Sequence, residues 1–280
     1  VRLESTSYEK ETVAFNSITG VDEDLLSLDI YHFKNRTALP VVIYVHGGAW
    51  AIGDKVHKMQ NKIDLFSAQG YVLVSTNYRK SPWPPRKNKE DRVKFPDHSN
   101  DVADAIVWVR DNIDQYGGDS ENIVVLGFSA GAHLAALSGT SGVFLPERGM
   151  DVDELKGIAS IDIQAYDISA LMSQAKSVER SIYANAFTTD PVLWSQASPQ
   201  LQLEDGISYP KFFIAKRGEE FRRQIADDFA SALEAVGSKV TMFESDEYSH
   251  SQISEAIGKE GENDITPALL LFLEDCFTTP

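Results

Sequence analysis

Two short runs, Val41–Val45 (VVIYV) and Tyr71–Thr76 (YVLVST), are β-rich and carry no alternation of polar residues. Strands of that kind are buried on both faces, as in a parallel sheet covered by helices on each side. The rest of the chain keeps the same rhythm. Ile123–Leu126, Gly157–Ile163, Lys211–Ala215 and Lys239–Glu244 read as further strands, and Leu25–Phe33 alternates like a half-exposed one. Lys55–Gln69, Asp97–Asn112 and Phe221–Val236 have helical spacing, and Thr266-Pro267 opens a last helix. This alternation predicts one α/β domain over residues 1–280 with a mostly parallel central sheet flanked by helices. Residues 164–208 break the rhythm and read as a small helical cap insertion. In such a sheet it would lie over the C-terminal strand ends, where ligands bind.

Composition removes several function classes. Of 280 residues, 42% are hydrophobic, enough for a sizeable core, yet no run approaches the ~18 to 20 apolar residues of a membrane span. The net charge of −16 repels phosphate backbones and argues against nucleic acid as a partner. One stretch runs the other way: Arg79, Lys80, Arg86, Lys87, Lys89, Arg92 and Lys94. It reads as a solvated loop, or as a local positive field drawing in an anionic substrate. The single cysteine, Cys276, leaves no disulfide framework and no Cys-rich metal site. That usage favours a soluble, cytoplasmic protein, although an exported form is not excluded, and the chain opens on Val1 rather than Met. No cofactor or metal is expected, and nothing excludes a homodimer.

The chemistry-bearing motifs sit at strand ends. Gly127-Phe128-Ser129-Ala130-Gly131 lies between a predicted strand and an alanine-rich helical stretch. By chance a bare G-x-S-x-G occurs in roughly one chain in ten of this size. The strand-to-helix context is what makes Ser129 a nucleophile rather than a helix cap. His46-Gly47-Gly48-Ala49-Trp50 follows the strand Val41–Val45, and a Gly-rich turn there aims backbone amides at a developing oxyanion. The expected donors are the amides of Gly48, Ala49 and Ala130. His46 itself reads as structural.

A serine nucleophile needs a base, and His250, in the loop after the last strand, is the histidine in the right place. The acid belongs in the loop after the preceding strand, which reads Lys216-Arg217-Gly218-Glu219-Glu220. Glu219 is the first choice there and Glu220 the second, with Asp162 and Asp167 as rivals after Gly157–Ile163. Trp50, Phe128, Trp83 and Trp194 are candidates for the substrate pocket, with the core as their other use.

The segments HGGAWAIGDK, YGGDSENIVVLGFSAGAHLAAL and HSQI resemble the carboxylesterase branch of the α/β-hydrolase superfamily over about residues 25–277. That branch includes hormone-sensitive-lipase-like esterases, kynurenine formamidases and isoprenylcysteine methylesterases. The resemblance implies the α/β-hydrolase fold and a serine hydrolase of small carboxylic esters, with Ser129 in the nucleophile elbow and His46 to Ala49 in the oxyanion loop. Two departures stand out: Phe128 where His or Gln is usual, and KRGEE where relatives carry Gly-x-x-Asp. An arylformamidase-type amide hydrolase is the second reading, since the basic stretch would suit an anionic product. A non-catalytic ligand-binding protein on the same fold is the third.

Overall fold

The computed structural model describes residues 8–86 and 89–278, so Val1 and Lys87 of the basic stretch lie outside the described residues. Eight strands form one sheet: β1 (Tyr8–Ala14), β2 (Ser27–Phe33), β3 (Leu39–Val45), β4 (Val72–Thr76), β5 (Gly118–Phe128), β6 (Gly157–Ile161), β7 (Lys211–Lys216) and β8 (Val240–Glu244). Their spatial order is β1-β2-β4-β3-β5-β6-β7-β8. The first two strands are antiparallel to their neighbours, and every pair from β4 to β8 is parallel. This is the α/β-hydrolase fold, with the chemistry-bearing loops gathered at the C-terminal ends of the parallel strands.

Period-two alternation divides the core into two layers. Val41, Ile43 and Val45 face α2 (Asp97–Asn112) and α3 (Ala130–Thr140), packing with Val102, Ile106 and Leu134. Val42 and Tyr44 face the opposite side, where α1 (Gln60–Gln69), α8 (His250–Ala256) and α9 (Ile265–Thr278) contribute Phe66, Ile253 and Leu269. The remaining long helix, α7 (Glu220–Ala235), seats Ile225 and Phe229 in the first layer.

Two expectations need correcting at the sheet's first edge. The strand β1 was not foreseen, and β2 is buried along its whole length rather than half exposed. Its polar positions are satisfied internally: Asp29 takes the Thr12 hydroxyl at 2.7 Å and pairs with Lys10 at 2.8 Å.

Residues 164–208 fold into α4 (Ile168–Gln174), α5 (Ser177–Phe187) and α6 (Pro191–Gln196). They are fastened beside α2 and α3. Phe95 N donates to Ala186 O at 2.7 Å, and His133 Nε2 in α3 donates to Ala197 O at 2.8 Å.

Candidate active site

The strand β5 ends at Phe128, and Ser129 turns the chain with φ 53° and ψ −121° before α3 begins at Ala130. A non-glycine residue at such a φ is strained, so its neighbours must hold it there. Ser129 N donates to Ile161 O at 2.9 Å, and Ser129 O accepts from Ala132 and His133 N at 2.9 and 3.2 Å. Gly131 permits the close approach behind the turn, since a Cβ there would stand 2.1 Å from Val45 O.

His250 opens α8 directly after Ser249, which caps the helix reciprocally with Gln252; Ser249 N donates to Gln252 Oε1 at 2.8 Å. From that position His250 bridges two partners. Its Nδ1 donates to Asp162 Oδ2 at 2.6 Å, and its Nε2 lies 2.9 Å from Ser129 Oγ. An ionised carboxylate only accepts, so Nδ1 carries the proton and Nε2 is left free to accept from the serine hydroxyl.

The carboxylate on His250 is therefore Asp162, not Glu219. β6 stops at Ile161 instead of running to residue 163, and Asp162 turns off the strand end with φ 51°. Its N donates to Ala215 O at 2.9 Å, locking the turn against β7. The expected acid fails for a local reason: Glu219 is the N-cap residue of α7 and Glu220 the first residue of that helix, and both are exposed. Asp167 is spent capping α4, where it accepts Ala170 N at 3.0 Å. The residue after β7 is instead Arg217, whose Nε lies 3.1 Å from Asp162 Oδ2, while Arg222 of α7 donates to Oδ1 at 2.6 Å. Burial alone would raise the Asp162 pKa. The hydrogen bond from His250 and the charges of Arg222 and His250 outweigh it and hold the carboxyl below its usual range.

A cavity of about 510 Å³ opens beside Ser129 and His250 and is lined by Gly47, Gly48 and Ala49. Gly48 has φ 127°, and a Cβ there would fall 2.0 Å from Ile52 O, so this turn requires glycine. Ala49 follows at φ 52°. Ala130 is buried as the first residue of α3, where an amide has no acceptor within its own helix. His46 supports the turn from beneath, donating from Nδ1 to Gly47 O at 2.7 Å and stacking on Tyr78 at 4.4 Å. Burial pulls its pKa down to about 4, so the ring is neutral.

The aromatic candidates divide. Phe128 lines the cavity, with its ring centroid 4.9 Å from that of His250. Trp50 does not: it is 2% exposed, donates to His133 Nδ1 at 3.2 Å and packs edge-on against Phe187. Trp194 is likewise occupied elsewhere, donating to Thr188 O at 3.3 Å, and Trp83 stands 53% exposed; neither lines the cavity. No residue of 164–208 lines it either. The cavity instead extends along Ile52 and Asp54 of the HGGAWAIGDK segment and on to His57, Lys58, Lys62, Ser254 and Glu255, which no motif contains. One signal was available: Lys62 falls on the Met59, Ile63, Phe66 stripe of its helix, a charge where an apolar residue belongs.

Arg79, Lys80 and Arg92 of the basic stretch are committed to the scaffold, while Arg86 and Lys89 are exposed. Arg79 makes a bidentate pair with Asp101 at 2.7 to 3.0 Å. Arg92 donates to the carbonyls of Lys89, Ala184 and Asn185, and Lys80 to Gly53 O. Among the described residues no helix is long and apolar enough to cross a membrane.

Comparison with known proteins bears on the family and the fold. Residues 28–219 match the BD-FAE family. Esterase LipC of Mycobacterium tuberculosis is 32% identical over 64% of this chain and 44% of its own length, so the chain spans less than half of that relative. A truncated form of a carbohydrate esterase from gut microbiota superposes with a TM-score of 0.73 at 19% identity, covering 99% of both chains. An esterase from Rhizomucor miehei gives 0.74 at 21% identity, over 97% of this chain and 84% of that one.

Proposed function

The chain belongs to the BD-FAE family, and on that premise we propose that it is a serine hydrolase of small carboxylic esters. The observation that carries the reading is the hydrogen-bonded line Asp162–His250–Ser129, with distances of 2.6 and 2.9 Å. His250 Nε2 takes the hydroxyl proton as Ser129 Oγ attacks the ester carbonyl carbon. The new oxyanion sits against the amides of Gly48, Ala49 and Ala130. Asp162 stabilises the His250 cation formed at that moment. The imidazolium then protonates the leaving alkoxide, the C–O bond breaks, and an acyl-Ser129 ester remains. Water enters through the same base, its proton passing to His250 and on to Ser129 Oγ as the acid departs.

Phe128 and Ile52 supply an apolar wall suited to an uncharged ester core. The formamidase reading rested on the basic stretch, and none of its described residues lines the cavity, so that stretch lends it no support. The test is hydrolysis of p-nitrophenyl butyrate by wild type and Ser129→Ala, with fluorophosphonate labelling alongside. The variant should lose roughly 10³-fold or more of kcat/KM and all labelling. Equal rates in the two proteins would sink the assignment. Turnover of N-formylkynurenine far above that of esters would shift it to amide hydrolysis.

A further inference from the structure

The cavity holds a buried cation that no carboxylate of its walls touches. Lys62 is 1% exposed, in the first turn of α1, and lines the cavity together with Ser129. Its ammonium donates to Ser254 O at 2.7 Å and lies 5.1 Å from the centre of the Tyr44 ring. Both partners are electroneutral. The nearest acid on the facing helix, Glu255, is held by Lys58, and no carboxylate among the described residues lies within 4.0 Å of Lys62. The other deeply buried lysine shows the contrast. Lys55, 3% exposed, is paired with Asp24, lies 3.9 Å from Asp29 and donates to Ser27 Oγ at 2.9 Å.

An ammonium has three donors, and the hydrogen bond to Ser254 O uses one. Burying such a charge without an anion is expensive, and desolvation draws its pKa down to about 8 despite Glu255. An anion arriving with the ligand would relieve that cost. The position is also suitable. Tyr44, whose ring the ammonium faces, is in register with Leu126, three residues before Ser129, so its backbone lies about 10 Å down the sheet from that of the nucleophile at 3.3 Å per residue. We infer that the Lys62 end of the cavity is a carboxylate subsite, and that the preferred esters carry one carboxylate at the end remote from the scissile bond. A doubly charged phosphate fits less well, because Asp54 and Glu255 share the same walls.

The inference rests on Ser129 being the nucleophile, so the two are read separately. Turnover of neutral methyl hexanoate reports on Ser129. The ratio of kcat/KM for methyl hydrogen adipate to that for methyl hexanoate reports on Lys62 with the charge on the acyl side. The ratio for 6-acetoxyhexanoate to hexyl acetate does so with the charge on the alcohol side. Wild type should favour the anion in at least one pair, and Lys62→Met and Lys62→Gln should cut that ratio roughly tenfold or more. Because each ratio is taken within one protein, a general loss of activity cancels. Ratios unchanged in both variants would overturn the subsite. If neither variant folds, wild type decides: adipate should inhibit methyl hexanoate hydrolysis competitively where 1,6-hexanediol does not, and equal inhibition overturns the proposal. Should wild type fail to turn over neutral esters, calorimetric titration with hexanoate reads the subsite alone, and absence of binding there overturns it.

Discussion

Asp162 sits where the His250 ring and two cations, Arg217 and Arg222, meet, and it is almost wholly removed from water. A carboxylate so placed orients the imidazole and compensates its charge, and its neutral amide analogue does neither. Asp162→Asn should therefore lower kcat roughly 10³- to 10⁴-fold with little change in fold, whereas Glu219→Gln should stay within about twofold. Assays of both variants on p-nitrophenyl butyrate check this. A large loss in Glu219→Gln with none in Asp162→Asn would reverse the assignment. The sequence contains Asp162, but Gly157–Ile163 reads as an uninterrupted strand through it. The stop at Ile161 depends on the positive φ of Asp162 and on its amide reaching Ala215 O across the sheet. Those are tertiary facts. Ser129 and His250 were legible because each stands next to a local signal, a glycine-flanked strand end and a late loop after the last β-rich run.

At the scale of elements, periodicity located what it could measure. The helix α2 occupies Asp97–Asn112 as the capping and apolar stripe predict, and the buried runs at β3 and β4 sit side by side in parallel register. β1 escaped because no residue of it is fully buried, three exposed residues follow one another at Lys10–Thr12, and its charges are matched only across the strand pair, as Lys10 is with Asp29. Trp50 and Trp194 misled for a related reason. Aromatic residues near a motif show apolar volume but not direction, and Trp50 points back towards α3 instead of into the cavity. The elbow is the most demanding junction, since α3 crosses the end of β3 with no room for a side chain at Gly131. Gly131→Ala should cost about 2 kcal/mol or more, because the obstructing atom is a backbone carbonyl of the central sheet. Urea unfolding measures it; a midpoint equal to wild type would show that α3 shifts freely.

Across the whole molecule the buried histidines couple stability to pH. Burial lowers the pKa of His46 and His133 to about 4 and that of His98 to about 3. In the unfolded chain a histidine binds its proton near pH 6.5. Between pH 6.5 and about 4 the unfolded state therefore holds more protons than the folded one, and stability rises with pH across that window. Above pH 6.5 the contribution is fully present, and it is lost as the pH falls towards the folded values. Three such groups set a limiting slope of about 4 kcal/mol per pH unit. Asp101, whose carboxyl is pushed up by burial against the pull of Arg79, works in the opposite direction as one group against three. A domain with about 5 to 15 kcal/mol of stability then approaches its acid transition near pH 5. Urea titrations at pH 7.0, 6.0 and 5.0 should show unfolding free energy falling steadily. His133→Gln, at a site that ties α3 to Ala197 and Trp50, should be less stable at pH 7 yet fall less steeply. A wild-type free energy that stays flat from pH 7 to 5 would mean these rings are protonated in the fold, contrary to their burial. The same titrations bear on the active site, because His46 lies beneath the Gly47–Gly48 turn: protonating it would loosen the oxyanion loop, so irreversible loss of esterase activity should follow the unfolding midpoint in this window.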